Sequence, residues 1–238
     1  DNSLTCTAKF TTNSTSDSNG SITYSIDTNN VKDLTGNPVG GNAVTGGGVT
    51  FDKTAPSISG VTVSSNNDNN GIFAKDGDTV TLVVEANEQI RSPTIVVTDS
   101  GGSTISTSIS ESDGASTTSK DGSVVASDKW NATFDVNGES DGAIDFSIAI
   151  ADRSGVVTSA QTKNTLNTNN LLTGSMTIDN TAPTVSGVGI ARSGGGRIAK
   201  AGSVITLTCT TSETVQALAE GSVTFTDGTA NIAANRVS

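Results

Sequence analysis

Two copies of one sequence unit lie within the chain, and they constrain its fold more than any other feature. The copies share three blocks, namely FDKTAPSISG (51–60) with IDNTAPTVSG (178–187), AKDGDTVTL (74–82) with AKAGSVITL (199–207), and NEQI (87–90) with SETV (212–215). They lie about 125 residues apart, which is the length of a whole domain rather than of one turn of a solenoid. The chain is therefore expected to contain repeated domains.

A second match shows that the repeat is cut in an unusual place. Its blocks are SDKWNATFDV (127–136) followed by DGAIDFSIAIADRSG (141–155), and NSLTCTAKFTT (2–12) followed by NGSITYSIDTNNVKDLTGN (19–37). Residues 2–37, at the start of the chain, thus match the back half of the unit. We predict the C-terminal half of one domain at 1–55, a complete domain at 56–182 with an inserted loop near 99–128, and the N-terminal half of another domain at 183–238.

The two flanking halves together make one composite domain. Residues 1–55 of the next unit would complete residues 183–238. Two arrangements meet this requirement. The units follow one another in a longer tandem polypeptide, or separate chains complete each other head to tail.

The hydrophobic pattern predicts an all-β fold. Apolar residues alternate with polar ones in TVTLVVEA (79–86), WNATFDV (130–136) and AIDFSIAIA (143–151), which is typical of strands with one buried face. About seven short strands in each unit indicate an antiparallel sandwich. A β-helix is the alternative, but its repeats are several-fold shorter.

The shared motifs resemble a known family. The series (F/I)D(K/N)TAP, AK-x-G-x-x-(V/I)TL, (N/S)E-x-(I/V), W-x-A-x-F and D-x-x-GN is similar to the bacterial-type Ig-like repeats of giant extracellular adhesins, S-layer-like proteins and surface filaments. The resemblance implies tandem Ig-like antiparallel β-sandwiches and an extracellular or cell-surface location. One element departs from the pattern, because D-x-x-GN is intact at 33–37 but reads DRSGV at 152–156.

The composition argues against an enzyme. The chain has no His and only two Cys, which removes the usual general base and any four-ligand His/Cys metal centre. Its net charge of −11 does not suit nucleic acid, which binds basic surfaces. No stretch approaches the ~20 apolar residues of a membrane helix. We expect a protein that is not an enzyme, binds no nucleic acid and has no membrane span.

Carboxylates are the candidate ligands for a metal ion. In an Ig-like sandwich the linker into a domain, the end of its second strand and the loop before its last strand meet at one pole. The carboxylates at these positions are Asp52, Glu88 and Asp152 in the intact repeat, and Asp179, Glu213 and Asp33 in the composite one. Three carboxylates with backbone carbonyls would suit Ca²⁺ at the domain junctions. The alternative is that they cap turns, with Asp33 and Asn37 forming Asx-turns.

The two cysteines fall at matched positions of the composite domain. Cys209 aligns with Val84 and shares a strand face with Leu207, whereas Cys6 aligns with Trp130. Both are therefore expected to point inward. We predict a disulfide between Cys209 of one unit and Cys6 of the following one, in an oxidising compartment. The alternative is a pair of buried free thiols.

Three sequons and one Ser-rich run are candidate glycosylation sites. Asn13, Asn19 and Asn131 head the sequences NST, NGS and NAT, the acceptor pattern of secreted proteins. Sequons also arise by chance in a chain rich in Asn and Thr. The run 100–127 is a candidate for O-linked sugar or for disorder.

Two functions fit the sequence. The first is a structural repeat unit of an extracellular filament or surface layer, with itself as partner along the fibre. The second is the stalk of a large cell-surface adhesin, with its recognition domain elsewhere or in the 99–128 insertion, and with glycans as a candidate ligand.

Overall fold

A computed structural model describes residues 5–112, 117–118, 125–218, 222–226, 228–229 and 231–232. The chain divides into two units, Asp1–Asn180 and Thr181–Ser238. The predicted meeting point of the two half-domains, at residues 1–4 and 233–238, lies outside the described residues. So does part of the predicted insertion, at 113–116 and 119–124.

Strands make up nearly all the regular structure of the described chain. In chain order they are β1 Gly20–Ile26, β2 Val44–Phe51, β3 Ile58–Ser65, β4 Phe73–Ala74, β5 Thr79–Arg91, β6 Thr94–Thr98, β7 Thr104–Ile105, β8 Ser108–Glu111, β9 Thr117–Thr118, β10 Val125–Asp135, β11 Gly142–Ala143, β12 Asp145–Ala149, β13 Gln161–Thr162, β14 Leu172–Thr173, β15 Thr177–Ile178, β16 Val185–Arg192, β17 Ile205–Thr211, β18 Phe225–Thr226 and β19 Asn231–Ile232. A 3-10 helix at Thr28–Asn30 and the α-helix α1 at Lys163–Thr168 complete the set. The all-β prediction is confirmed.

Two sheets pack face to face in the part of the chain after Pro56, which we call the central sandwich. One has the order β14-β3-β5-β10-β8, with β9 also paired to β10, and the other has the order β13-β12-β6-β7. A small sheet, β11-β15-β4, lies beside them. The pairs β14–β3 and β15–β4 are parallel, whereas the other pairs of the sandwich are antiparallel.

Alternating side chains from both sheets form one hydrophobic core. Leu82 and Trp130 from the first sheet pack with Phe146 and Ile148 from the second, and all four are buried. The Trp130 Nε1 donates a hydrogen bond of 3.0 Å to the Ser127 backbone oxygen, so the indole is buried without an unsatisfied donor. The alternation predicted for these strands is confirmed.

The predicted insertion is only partly a loop. Three short strands, β7, β8 and β9, and the start of β10 fall within 99–128. Strand β8 pairs antiparallel with β10, which places Ile109 opposite Ala132, and Ile105 is buried in the core. Much of the insertion therefore extends the sandwich. Its Ser-rich composition concealed these strands because their apolar residues are few.

The segment before the central sandwich repeats a pairing seen inside it. Strand β1 pairs with β2 so that Gly20 lies opposite Phe51. In β11 and β15, Gly142 lies opposite Ile178. By the sequence match, these are equivalent positions of the repeat. The two pairs of strands thus share their register at Gly20–Phe51 and Ser21–Thr50, beyond which β1 stays paired with β2, whereas its equivalent β12 pairs with β6.

The segment after the central sandwich repeats the pairing of β3 with β5. The equivalent pairs are Ile58–Ala86 and Val185–Thr211, Val63–Leu82 and Ile190–Leu207, and Ser65–Val80 and Arg192–Ile205. In both pairs the register shifts near the start of the first strand, between Ile58 and Gly60 in β3 and between Ser186 and Gly189 in β16. The front half of the repeat therefore keeps its register without the rest of a domain.

The chain joins the central sandwich at two opposite ends of β5. At the entrance pole, Ser57 exchanges hydrogen bonds with Asn87, near the end of β5. At the exit pole, Asn180 Oδ1 accepts a hydrogen bond from the backbone of Asp76, just before β5 begins. Strand β5 has 13 residues and spans about 40 Å at ~3.3 Å per residue. Ser57, at the start of the central sandwich, and Asn180, the last residue of the first unit, thus lie at opposite poles.

Candidate functional site

The flanking segments expose apolar side chains whose equivalents in the central sandwich are buried. Phe10 is 69% exposed and its equivalent Phe134 is 4% exposed. Leu207 is 36% exposed and its equivalent Leu82 is fully buried. The same contrast holds for Tyr24 and Phe146, Ile26 and Ile148, Val49 and Met176, Val185 and Ile58, Val188 and Val61, Ile190 and Val63, and Ile205 and Val80.

These residues form what we call the uncovered faces. The face of the preceding segment consists of Phe10, Tyr24, Ile26 and Val49, and that of the following segment consists of Val185, Val188, Ile190, Ile205 and Leu207. Exposed apolar residues scattered singly are ordinary, but contiguous ones mark an interaction surface. Each uncovered face has the residues of half a sandwich core.

Residues 5–11 form no strand, although their equivalents do. They match 129–135 of β10, which lies between β5 and β8 in the central sandwich. In the described chain, residues 5–11 have no regular secondary structure and are exposed. A strand needs a partner for its backbone groups, and the partner of β10 is β5. Its equivalent, β17, belongs to the other unit of the chain.

Cys6 and Cys209 are both free and exposed. The prediction that they point inward concerns the composite domain, which a second unit would complete, and it stays a prediction. The predicted bond between successive units stays a prediction.

The entrance pole holds a cluster of three carboxylates. Asp52, Glu88 and Asp152 each offer an oxygen, and these oxygens all lie within 4.8 Å of one another. Asp152 is 1% exposed, and the other two are half-buried. The sequence named all three, and the structure brings them together from a linker, a strand and a loop.

Hydrogen bonds hold two of the three carboxylates in place. Asp152 Oδ1 accepts from the backbone amides of Gly155 and Val156, at 2.6 and 2.8 Å, and the Ser154 hydroxyl donates to the same carboxylate. Asp52 Oδ1 accepts from the Asn19 side chain and from the Thr54 amide, at 3.0 Å each. These bonds fix the position of the negative charges.

Burial and the two neighbouring carboxylates raise the pKa of Glu88. Desolvation contributes most, followed by the charge of Asp52 and then that of Asp152. Lys129 pairs with Glu85 at 2.7 Å, whereas within the described part of the chain no basic side chain lies within 4.0 Å of the three cluster carboxylates. The arrangement can hold a divalent cation, because hard oxygen ligands at this spacing are what Ca²⁺ takes.

The members of the second predicted set are divided between the two units of the chain. Asp33 and Asp179 belong to the first unit, and Glu213 belongs to the second. Asp33 instead caps its own loop, accepting from Thr35 and from both the backbone and the side chain of Asn37. These bonds lower the pKa of Asp33 to about 2. Asp33 is thus a turn cap in the structure, and its role as a metal ligand at a junction between units stays a prediction.

The D-x-x-GN loop is conserved in shape despite its degraded copy. The amide of residue 33 donates to the oxygen of Asn37 at 2.9 Å, and the amide of residue 152 donates to the oxygen of Val156 at 3.0 Å. In both loops the first carboxylate accepts the amide four residues on, at 2.8 Å. The loss of Asn at the fifth position therefore leaves the loop intact, because the backbone supplies its main bonds.

The three sequons differ in how their side chains are engaged. Asn13 is exposed, and its Oδ1 accepts from the Thr15 amide at 2.8 Å. Asn131 lies in mid-strand β10, with a buried Oδ1 that has no hydrogen-bond partner within the described structure. Asn19 donates through Nδ2 to Asp52 and Thr54, so a glycan on that nitrogen would displace part of this network. Glycosylation at all three stays a prediction.

Sequence reasoning missed the structural role of Asn19. Its Oδ1 accepts the backbone amide of Lys53 at 3.0 Å, which anchors the linker to the start of β1. At the exit pole, Asp141 Oδ1 accepts the amide of Asn180 at 2.7 Å, which is the equivalent bond. The matched sequences NGS (19–21) and DGA (141–143) could have revealed this role, because each has an Asn or Asp immediately before a strand, β1 or β11.

No helix in the described residues is long and apolar enough to cross a bilayer. Comparison with known proteins finds no matching family model, no similar curated protein and no similar solved structure. The class that the fold defines is therefore an all-β protein with a sandwich at its centre, and the function rests on the uncovered faces and the entrance pole.

Proposed function

We propose that this chain is a structural repeat unit of an extracellular filament or surface layer, assembled head to tail from Ig-like domains. The observation that supports the proposal best is the pair of uncovered faces. Positions buried in the central sandwich are exposed in both flanking segments, and the two segments match complementary halves of that sandwich. Each unit would complete its neighbour's half-domain.

The energetics favour such completion. Burying one large aliphatic or aromatic side chain contributes roughly 1.5–3 kcal/mol. Nine exposed positions have a buried equivalent in the central sandwich, so their burial would offset the cost of association and of ordering residues 5–11. Strands with open edges are also prone to pair with other chains.

We further propose that Ca²⁺ occupies the carboxylate cluster at the entrance pole. Its support is the juxtaposition of Asp52, Glu88 and Asp152 and the raised pKa of Glu88. Asp52 lies in the linker that carries the preceding segment, so a bound ion would stiffen that junction. The same chemistry is proposed for Asp179, Glu213 and Asp33 when a neighbour completes the domain.

Sedimentation velocity and electron microscopy test the assembly. We expect the full chain to form species of increasing length as its concentration rises, with a repeat that matches one unit. The variant Ile190→Asp, on an uncovered face, should block this. Val96→Asp is the matched control, because Val96 is also exposed but lies in the central sandwich.

Two outcomes would contradict the assembly. One is a wild-type chain that stays monomeric at all concentrations, and the other is an assembly equally disrupted by both variants. A monodisperse monomer that binds a glycan or a cell surface would instead favour the adhesin stalk.

A further inference from the structure

We propose that residues 5–11 of a second copy add to the free edge of β17 as an antiparallel strand, with Cys6 directly opposite Cys209, and that these two cysteines form a disulfide between the copies. This inference rests on the proposed head-to-tail assembly. It goes beyond that assembly by specifying the strand edge, the register and the covalent bond.

The register comes from the central sandwich. Strand β10 pairs with β5 so that Trp130 lies opposite Val84, Ala132 opposite Leu82 and Phe134 opposite Val80. The sequence match places Cys6, Ala8 and Phe10 at the β10 positions, and Cys209, Leu207 and Ile205 at the β5 positions. The same pairing in the composite domain therefore sets Cys6 opposite Cys209, Ala8 opposite Leu207 and Phe10 opposite Ile205.

The flanking segments already contain pairings of the central sandwich. The pair β16–β17 reproduces β3–β5 along its length, and β1–β2 reproduces β11–β15 at Gly20–Phe51 and Ser21–Thr50. Since β17 is paired on one side as β5 is, its other edge is the one that β10 occupies in the complete domain. Within the described residues, β17 has no strand at that edge.

The two attachment points favour a second copy over closure within one chain. Residues 5–11 precede the linker at the entrance pole, whereas β17 follows Asn180 at the exit pole. These poles lie at opposite ends of the 13-residue strand β5. The occupant of the β17 edge is therefore assigned to the next copy along the axis.

The geometry of opposite residues suits a disulfide. Directly opposed residues in an antiparallel pair have Cα atoms about 4.5–5.5 Å apart, within the ~4.4–6.8 Å range of disulfides. Side chains at opposed positions project from the same face of the sheet. Both thiols are free and exposed in one chain, so each is accessible to an oxidant before the copies meet.

Thiol–disulfide exchange supplies a balanced route to the bond. One cysteine thiolate attacks a low-molecular-weight disulfide, here glutathione disulfide, forming a mixed disulfide and releasing one glutathione thiolate. The second cysteine then attacks the mixed disulfide and releases the other glutathione. Two protein thiols are oxidised, one glutathione disulfide is reduced to two thiols, and the two protons pass to the released thiolates.

The test mixes two full-length variants that each keep one cysteine. Cys6→Ser and Cys209→Ser are incubated with glutathione disulfide, separately and together, and are analysed by non-reducing electrophoresis. We expect a covalent dimer in the mixture at least tenfold above either variant alone, and ladders from the wild-type chain. All of these bands should collapse on reduction.

A register control sharpens the test. A chain carrying Cys6→Ser, Thr208→Cys and Cys209→Ser moves the thiol by one residue and hence to the other face of the strand. Mixed with the Cys209→Ser chain, it should yield at least tenfold less dimer. The next in-register pair, Ala8→Cys in one chain and Leu207→Cys in another with both native cysteines changed to Ser, should cross-link.

Three results would overturn the pairing. They are dimer formation by either single variant at the level of the mixture, equal dimer from the Thr208→Cys chain, and a Cys6–Cys209 bond within one wild-type chain. The doubly substituted Cys6→Ser, Cys209→Ser chain separates the two proposals by sedimentation. Assembly of that chain without cross-linking in the mixture refutes the register alone, whereas a wild-type chain that does not assemble refutes the proposed function.

Discussion

Asp33 and Asp152 show how a single carboxylate builds the same loop in two contexts. Each accepts the amide of the residue four positions on, and each begins a five-residue loop closed by a backbone hydrogen bond. Asp33 is exposed and the hydrogen bonds to Asn37 and Thr35 lower its pKa. Asp152 is buried and faces two other carboxylates. The same residue type thus serves as a turn cap at one site and as a candidate metal ligand at the other.

We predict that Glu88 couples the stability of the entrance pole to pH and calcium. The folded pKa of Glu88 is raised, so its charge destabilises the fold above that pKa. This destabilisation disappears as the pH falls below the unfolded value near 4.5. At pH 7, Ca²⁺ should raise the melting temperature, and Glu88→Gln should raise it in chelator while losing most of the calcium response.

Glu85→Gln is the matched control for Glu88. It removes a carboxylate from the same strand, but one that pairs with Lys129 outside the cluster. Calorimetry should find its calcium response equal to that of the wild-type chain. An equal response of the wild-type chain to Mg²⁺, or an undiminished calcium response in Glu88→Gln, would contradict a specific calcium site.

At the element scale, the sequence predicts the strands of the core well and those of the insertion poorly. Strands β5, β10 and β12 have the strict alternation that indicates a half-buried strand. Strands β7 to β9 have Ser and Thr at most positions, and they form because β10 and β6 offer free edges. Edge pairing of this kind is set by the tertiary structure, so a local pattern does not reveal it.

Leu82→Ala and Leu207→Ala truncate equivalent positions of the repeat. The first lies in the buried core of the central sandwich and the second on an uncovered face. In dilute, unassembled protein, Leu82→Ala should lower the unfolding free energy by about 2–5 kcal/mol, because it opens a cavity in a buried core. Leu207→Ala should change it by less than about 0.5 kcal/mol, because that side chain is partly exposed. Urea denaturation measures both values.

The same pair should behave differently after assembly. If a neighbour covers Leu207, the Leu207→Ala chain should need a higher concentration than the wild-type chain to assemble. A loss of 2 kcal/mol or more from Leu207→Ala in dilute protein would contradict this account, because the position would then already be part of a core.

At the scale of the whole molecule, the repeat alignment was the most informative feature of the sequence. It predicted the three carboxylates of the entrance pole and the equivalence of β16–β17 with β3–β5. It did not show that residues 5–11 lack a strand in one chain or that both cysteines are exposed. Those facts depend on which partner strand is present. The local sequence of a strand does not specify its partner.

Backbone hydrogen exchange of the full chain, dispersed and assembled, shows whether a neighbouring copy completes the flanking segments. We predict that amides of residues 5–11, and those of β17 that face away from β16, exchange fast in dilute protein and become protected together on assembly, at one concentration, while β5 and β10 stay protected throughout. Assembly that leaves residues 5–11 and those β17 amides unprotected, or protection of both sets in the dilute monomer, would contradict such completion.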